Sequence, residues 1–132
     1  ASTSYDAYTR GDSLFTLTAT PNQQKKKTIA QAEAGLWRLL DELKAKPPTT
    51  EELERIRAQV IAGVVYQRDS ITSQATAIGS LETVGLSWKL MDTELADLQS
   101  VTPEDIQKAA RTYFTRERLS VAHVLPEETA HE

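Results

Sequence analysis

Gln99-Ser100-Val101-Thr102-Pro103-Glu104-Asp105-Ile106-Gln107-Lys108-Ala109-Ala110-Arg111-Thr112-Tyr113-Phe114 decides how the rest of the chain is read. Thr102 is a good N-cap, Pro103 suits the first helical position, and Asp105 stands three residues after the cap, at capping-box spacing. Behind them Ile106, Ala109, Ala110, Tyr113 and Phe114 recur on one helical face. After this helix, Leu119, Val121 and His123 alternate with Ser120, Ala122 and Val124, which predicts a last strand over 119–125 ending at Pro126.

At the other end of the chain, residues 3–9 and 13–20 read as a hairpin with Arg10-Gly11-Asp12-Ser13 as its turn. Phe15, Leu17 and Ala19 alternate with Thr16, Thr18 and Thr20, giving one apolar and one Thr-rich face, and Pro21-Asn22 ends the strand. A first helix is expected from Thr28, which has Gln31 at capping-box spacing, through Ile29, Ala32, Leu36, Leu39, Leu40 and Leu43 to about Lys46. Pro47-Pro48 stops it. A second helix opens at Thr49 or Thr50, with Glu51 and Glu52 in the first turn, where the helix dipole favours acids. Its apolar line is expected to be Leu53, Ile56, Val60 and Val64.

Polar Arg68-Asp69-Ser70 then interrupts, and a further helical segment from Ser73 to Val84 carries Ala75, Ile78 and Leu81, with Gly85 as its C-terminal cap. Residues 50–84 therefore read as two helices rather than one kinked helix. Trp88, Met91, Leu95 and Leu98 suggest a short helix before the one at Pro103. Strands, then helices, then a strand predict an α+β domain: a two-layer arrangement, an antiparallel sheet with helices packed on one face, spanning 1–132 as a single domain.

The 132 residues are 39% hydrophobic and 26% charged, ordinary for a globular protein and too apolar for a disordered one. A net charge of -4 argues against nucleic-acid binding. No apolar run reaches the roughly 20 residues of a membrane span. There are no cysteines, which excludes disulfides, thiolate metal sites and a Cys nucleophile. The start, Ala1-Ser2-Thr3-Ser4-Tyr5, lacks Met and enters a strand pattern directly, so the chain is expected to be a piece of a longer one.

Few residues suggest chemistry of their own. His123 and His131 are eight apart with Pro126 between them, unlike a zinc helix, which places two histidines on one face. His123 reads as a strand residue and His131 as tail. Arg10-Gly11-Asp12 spells a tripeptide that some adhesion ligands display, yet a hairpin turn accounts for it. Lys25-Lys26-Lys27 precedes a helix N-terminus, where bases are disfavoured, and reads as a solvated loop. Glu51, Glu52 and Glu54 read as first-turn charges, and Trp37, Tyr66 and Trp88 as core or half-core packing. Neither a Gly-rich phosphate loop nor a nucleophile elbow is present.

Several blocks, in order, resemble the insulysin, pitrilysin and mitochondrial-processing-peptidase superfamily of zinc peptidases. They are Ser13-Leu14-Phe15-Thr16-Leu17-Thr18-Ala19-Thr20-Pro21, Pro48-Thr49-Thr50-Glu51-Glu52-Leu53-Glu54-Arg55-Ile56-Arg57, Ile78-Gly79-Ser80-Leu81-Glu82-Thr83-Val84-Gly85, Val101-Thr102-Pro103-Glu104-Asp105-Ile106-Gln107-Lys108-Ala109-Ala110, and Leu119 to Pro126.

The resemblance implies two homologous α+β halves closing around a peptide. One half carries an inverted zinc motif, His-x-x-Glu-His, whose Glu activates the zinc-bound water. The other lacks zinc and binds substrate. This chain contains no His-x-x-Glu-His. It is therefore expected to be the C-terminal part of a zinc-free half of a bacterial-type metalloendopeptidase, with periplasmic location favoured over cytoplasmic by analogy. No catalytic or metal-binding residue carries over, and no substrate-binding residue is assigned.

Zinc is implied for the parent protein, and none is expected in this segment. The implied partners are the remainder of the polypeptide or a zinc-bearing homologous subunit, a peptide substrate, and, for the fragment alone, another copy of itself. The alternative is a non-catalytic assembly or chaperone-like subunit of the same superfamily. A free-standing helical interaction domain, which would lack an antiparallel hairpin at residues 3–20, is a third reading.

Overall fold

The computed structural model describes residues 1–22 and 24–125. Two short strands, β1 (Ser2–Ser4) and β2 (Thr16–Thr18), precede five helices: α1 (Ile29–Ala45), α2 (Thr50–Arg68), α3 (Ile71–Thr83), α4 (Leu90–Ser100) and α5 (Pro103–Tyr113). A single 3-10 turn follows at Arg116–Arg118. The chain is thus mostly helical. The two-layer antiparallel sheet expected from the sequence is replaced by one two-stranded sheet beside five helices.

The helix starts follow local chemistry. Thr28, Thr49 and Thr102 each accept the backbone N–H three residues on, and Gln31, Glu52 and Asp105 each accept the cap residue's own N–H in return. The reciprocal bonds satisfy two donors that a helix start otherwise leaves orphaned. Of the two threonines considered for α2, Thr49 is the cap. Ser70 caps α3, two residues after α2 ends at Arg68, so residues 50–84 do form two helices. Gly85 ends α3 at φ +84°, with its N–H on Glu82 and the N–H of Leu86 on Leu81 at 3.0 Å. These two bonds need a left-handed residue at this position, which glycine adopts without a Cβ clash.

The hairpin is shorter than expected. Ser2 pairs Thr18, Thr3 pairs Leu17 and Ser4 pairs Thr16, a register centred on Arg10, whereas a turn at residues 10–13 would centre it between Gly11 and Asp12. The ladder stops at Ser4 and Thr16. Asp6 is one reason: its carboxylate accepts the N–H of Tyr8 at 3.0 Å, a local turn that competes with the ladder. The last strand is absent. Residues 119–125 adopt no regular structure, because alternation specifies two faces but not a backbone partner. Pro126 and His131 lie outside the described residues.

Helix α1 packs on α5, and α2 packs on α3 and α4. Gln107 and Arg111 of α5 both donate to the carbonyl of Lys44, at 3.1 and 2.6 Å, and so cap the C-terminal end of α1. Phe15 stacks on Phe114 with centroids 4.8 Å apart, holding the hairpin to the end of α5. On α1 the expected line is half-buried at Ile29, Ala32, Leu36, Leu40 and Leu43, while Leu39 is exposed. On α2 the half-buried line is Leu53, Arg57, Ile61 and Val64, so Ile56 and Val60 face outward instead. On α3 the inner line is half-buried Ser73 and Ala77 with buried Leu81, and Ile78 is exposed. No helix among the described residues is long and apolar enough to cross a membrane.

Very little of the chain is buried. Leu81 and Ala110, at 3% and 1% exposure, are the buried hydrophobic residues among those described. The chain exposes 10916 Å². A folded monomer of its 14.7 kDa exposes roughly 6,900 Å².

The capping carboxylates give the helices a pH dependence. Hydrogen bonds from the Thr49 backbone and then its hydroxyl hold Glu52 below its ordinary range. The Thr102 hydroxyl and then its backbone N–H do the same for Asp105. A carboxyl with a lowered pKa in the folded chain stabilises it fully above the ordinary carboxylate pKa and loses that contribution as pH falls through the lowered value. Helical circular dichroism is therefore expected to hold from neutral pH to about pH 5 and to decline below about pH 4. Glu52→Gln with Asp105→Asn, which keep acceptors but cannot titrate, should flatten that decline.

Candidate functional site

One polar cluster is organised by Trp37 on α1. The Arg116 guanidinium lies over its ring at 3.6 Å from the centroid, and the Lys44 ammonium lies at 6.0 Å. The indole N–H points at Glu33 Oε1 at 3.4 Å, while Glu33 Oε2 lies 3.0 Å from His123 Nε2. Glu33 and Trp37 are one helical turn apart, so both face the segment after α5. His123, expected in a strand, thus instead ties the irregular segment 119–125 to α1. Trp37, Arg38, Asp41, Glu42 and Arg116 line a wide, shallow depression beside this cluster.

A second recess of about 280 Å³ lies between the 5–15 loop and helices α2, α3 and α4. Asp6, Tyr8, Gln67, Arg68, Gln74 and Glu94 contribute its polar lining. Arg68 and Gln74 are already engaged there. Arg68 donates to the Met91 carbonyl and Gln74 to the Arg68 carbonyl, each at 2.6 Å.

The residues singled out in the sequence are scattered. Arg10 of Arg10-Gly11-Asp12 donates to the Thr83 carbonyl at 2.6 Å, fastening the hairpin loop to the end of α3. Gly11 does not have a positive φ, and the tripeptide lies in a wide loop rather than a tight turn. Lys25, Lys26 and Lys27 are exposed in the turn before α1, where the Asn22 side chain accepts the N–H of Lys25. Glu52 is a cap partner, Glu54 pairs with Arg57, and Glu51 is exposed. Tyr66 is 75% exposed and Trp88 is also exposed, so neither fills the core role expected of it, whereas Trp37 is half-buried. Among the described residues, no group of three or more His, Cys, Asp or Glu side chains could hold a metal ion.

The sequence reading missed the arginines that hold the elements together. Arg57 donates to the Leu98 and Val101 carbonyls at 3.2 and 2.6 Å and pairs with Glu54. Its position in the chain was a signal: it interrupts the α2 line between Leu53 and Ile61 with a charged fork. Arg116 and Glu33 gave no such signal.

Several large apolar side chains are exposed on more than one side of α2 and on α3. Ile56, Val60, Val65 and Tyr66 on α2, and Ile71 and Ile78 on α3, are all exposed. Neither protein-family models nor curated proteins match the chain.

Proposed function

We propose that the chain is a zinc-free, substrate-binding segment of a zinc metalloendopeptidase, the catalytic zinc lying in another half or in a partner chain. The observation that carries this reading is the ordered set of sequence blocks. The second block starts α2 at its capping box, the third ends α3 at Gly85, and the fourth starts α5. A binding role needs little special side-chain chemistry. Both outer edges of the β1–β2 pair are unpaired among the described residues, and an extended peptide can add to such an edge through backbone hydrogen bonds. The antiparallel pairing of Ser2–Ser4 with Thr16–Thr18 counts against the free-standing helical domain. The exposed apolar side chains of α2 and α3 also suit the non-catalytic assembly or chaperone-like subunit.

Peptide binding and cleavage, measured together, test the proposal. The purified chain with zinc is expected to bind unstructured peptides without cutting them and to show no one-to-one zinc site by calorimetry. Cleavage is expected when a zinc-bearing half encoded upstream or in an adjacent gene is supplied. Peptide binding without cleavage in that reconstituted protein selects the chaperone-like role. A chain that binds no peptide in either state overturns both.

A further inference from the structure

The fastenings among the described residues fall into two groups. In one, α1 packs on α5, Gln107 and Arg111 hold the Lys44 carbonyl, Glu33 meets His123, and Phe15 joins the hairpin to Phe114. In the other, α2 packs on α3 and α4, with Arg57 on the Leu98 and Val101 carbonyls and Arg68 on that of Met91. The chain passes from the first group to the second at residues 46–49 and returns at 101–102. Away from these crossings, one hydrogen bond joins the groups among the described residues: Arg10, in the hairpin loop, donates to the Thr83 carbonyl at 2.6 Å. No ion pair or aromatic contact among the described residues adds to it. Beneath the same loop, Asp6 and Tyr8 share the recess of about 280 Å³ with α2, α3 and α4, so the loop spans this gap without filling it.

We propose that the 5–15 loop is a latch between the two groups, with Arg10 as its catch, and that its release lets α2–α4 swing away from the hairpin and α1–α5 and opens the recess. The catch is reversible by its chemistry. Thr83 ends α3, so its carbonyl lacks an intrahelical donor and draws the guanidinium. Arg10 and Thr83 are both exposed, so water takes over both partners when the bond breaks. The loop keeps its own shape meanwhile, because its other bonds are internal: the Tyr8 N–H donates to Asp6, and the Thr9 hydroxyl to the Gly11 carbonyl. The bonds of α5 to the Lys44 carbonyl and of Arg57 to the Val101 carbonyl bring the two crossings together, as a hinge requires. Pro47 and Pro48 hold φ fixed at the first crossing, so the turning falls on ψ there and on Val101 and Thr102, both in extended backbone. Nothing in this arrangement depends on the peptidase reading.

Distances between two spin labels test it on the whole chain, which has no cysteine of its own. Leu39→Cys on α1 and Tyr66→Cys on α2 place one exposed label on each group. With Arg10 present, a single narrow distance distribution is expected. Arg10→Met keeps the apolar stem and removes the donor, and is expected to lengthen the mean distance and about double the width of the distribution, with helical circular dichroism unchanged. Arg10→Lys, which offers an ammonium in place of the planar fork, should fall between the two. An Arg10→Met distribution as narrow as that of the Arg10 chain overturns the proposal, because other contacts then hold the groups. An Arg10 chain as broad as Arg10→Met overturns it too, since the catch then holds nothing. Loss of helical circular dichroism in Arg10→Met, which a catch alone does not predict, overturns it as well.

Discussion

Leu81→Ala is expected to lower the stability of the chain by about 2–5 kcal/mol, the range for truncating a buried leucine. Leu81 is 3% exposed, while the other buried residue, Ala110, has little side chain to lose. It lies on the inner line of α3 with Ser73 and Ala77, and its carbonyl accepts the N–H of Leu86 in the turn that ends the helix. Truncation therefore opens space where the α2–α3–α4 group has little else buried. Small folded domains have only about 5–15 kcal/mol of stability, so the loss is a large share of the total. Urea unfolding followed by circular dichroism should show a lower midpoint with an unchanged slope. Leu39→Ala on exposed α1 surface is the control, expected to change stability by less than about 0.5 kcal/mol. Equal midpoints for Leu81→Ala and wild type would mean that α3 contributes nothing to the cooperative unit.

Arg57→Met is expected to cost about 2–4 kcal/mol, because hydrogen bonds to a charged donor contribute roughly 1.5–3 kcal/mol each. The Arg57 side chain is only 14% exposed and donates to two carbonyls near the C-terminal end of α4, Leu98 and Val101. Carbonyls at a helix end lack intrahelical donors, so the guanidinium caps α4 while fastening it to α2. Methionine keeps the apolar stem and removes the fork, which isolates the hydrogen bonds from packing. Arg57→Lys should rescue only partly, since one ammonium cannot reproduce the planar fork. The Glu54 pair contributes much less: Glu54 is 59% exposed, and Glu54→Gln is expected to change stability by less than about 1 kcal/mol. Thermal unfolding gives the magnitudes, and faster amide exchange in α4 for Arg57→Met would locate the effect. Unchanged exchange there would show that α4 is held by Met91, Leu95 and Leu98 alone.

The sheet is where local reading failed. Of the expected apolar face, Leu17 and Ala19 are half-buried while Phe15 is 44% exposed, and the ladder covers only Ser2–Ser4 and Thr16–Thr18. Residues 119–125 alternate equally well and form no strand. Alternation assigns faces to an extended segment, whereas a strand also needs a neighbour's backbone groups at hydrogen-bonding distance, a long-range condition that no local window contains. Of the polar contacts, Glu33 with His123 and Arg116 with Trp37 were equally invisible, since their partners are far apart in the chain and neither pair has a motif.

By itself, the sequence determined several of the helix boundaries. The Thr28, Thr49 and Thr102 caps, the Pro47-Pro48 stop and the Gly85 exit are settled within a few residues, so local spacing suffices. Helix α3, by contrast, starts at Ile71 behind the Ser70 cap, two residues before the expected Ser73. The tertiary structure alone decided which side of each helix became the inside. On α2 the apolar side chains circle much of the helix, so periodicity could not choose between Ile56 with Val60 and Ile61 with Val64. Packing against α3 and α4, with Arg57 bonded to the end of α4, turned Leu53, Ile61 and Val64 inward. Ile56 and Val60 were left at the surface because burial follows from where neighbouring elements come to rest, which a helix's own sequence constrains only when one face alone is apolar.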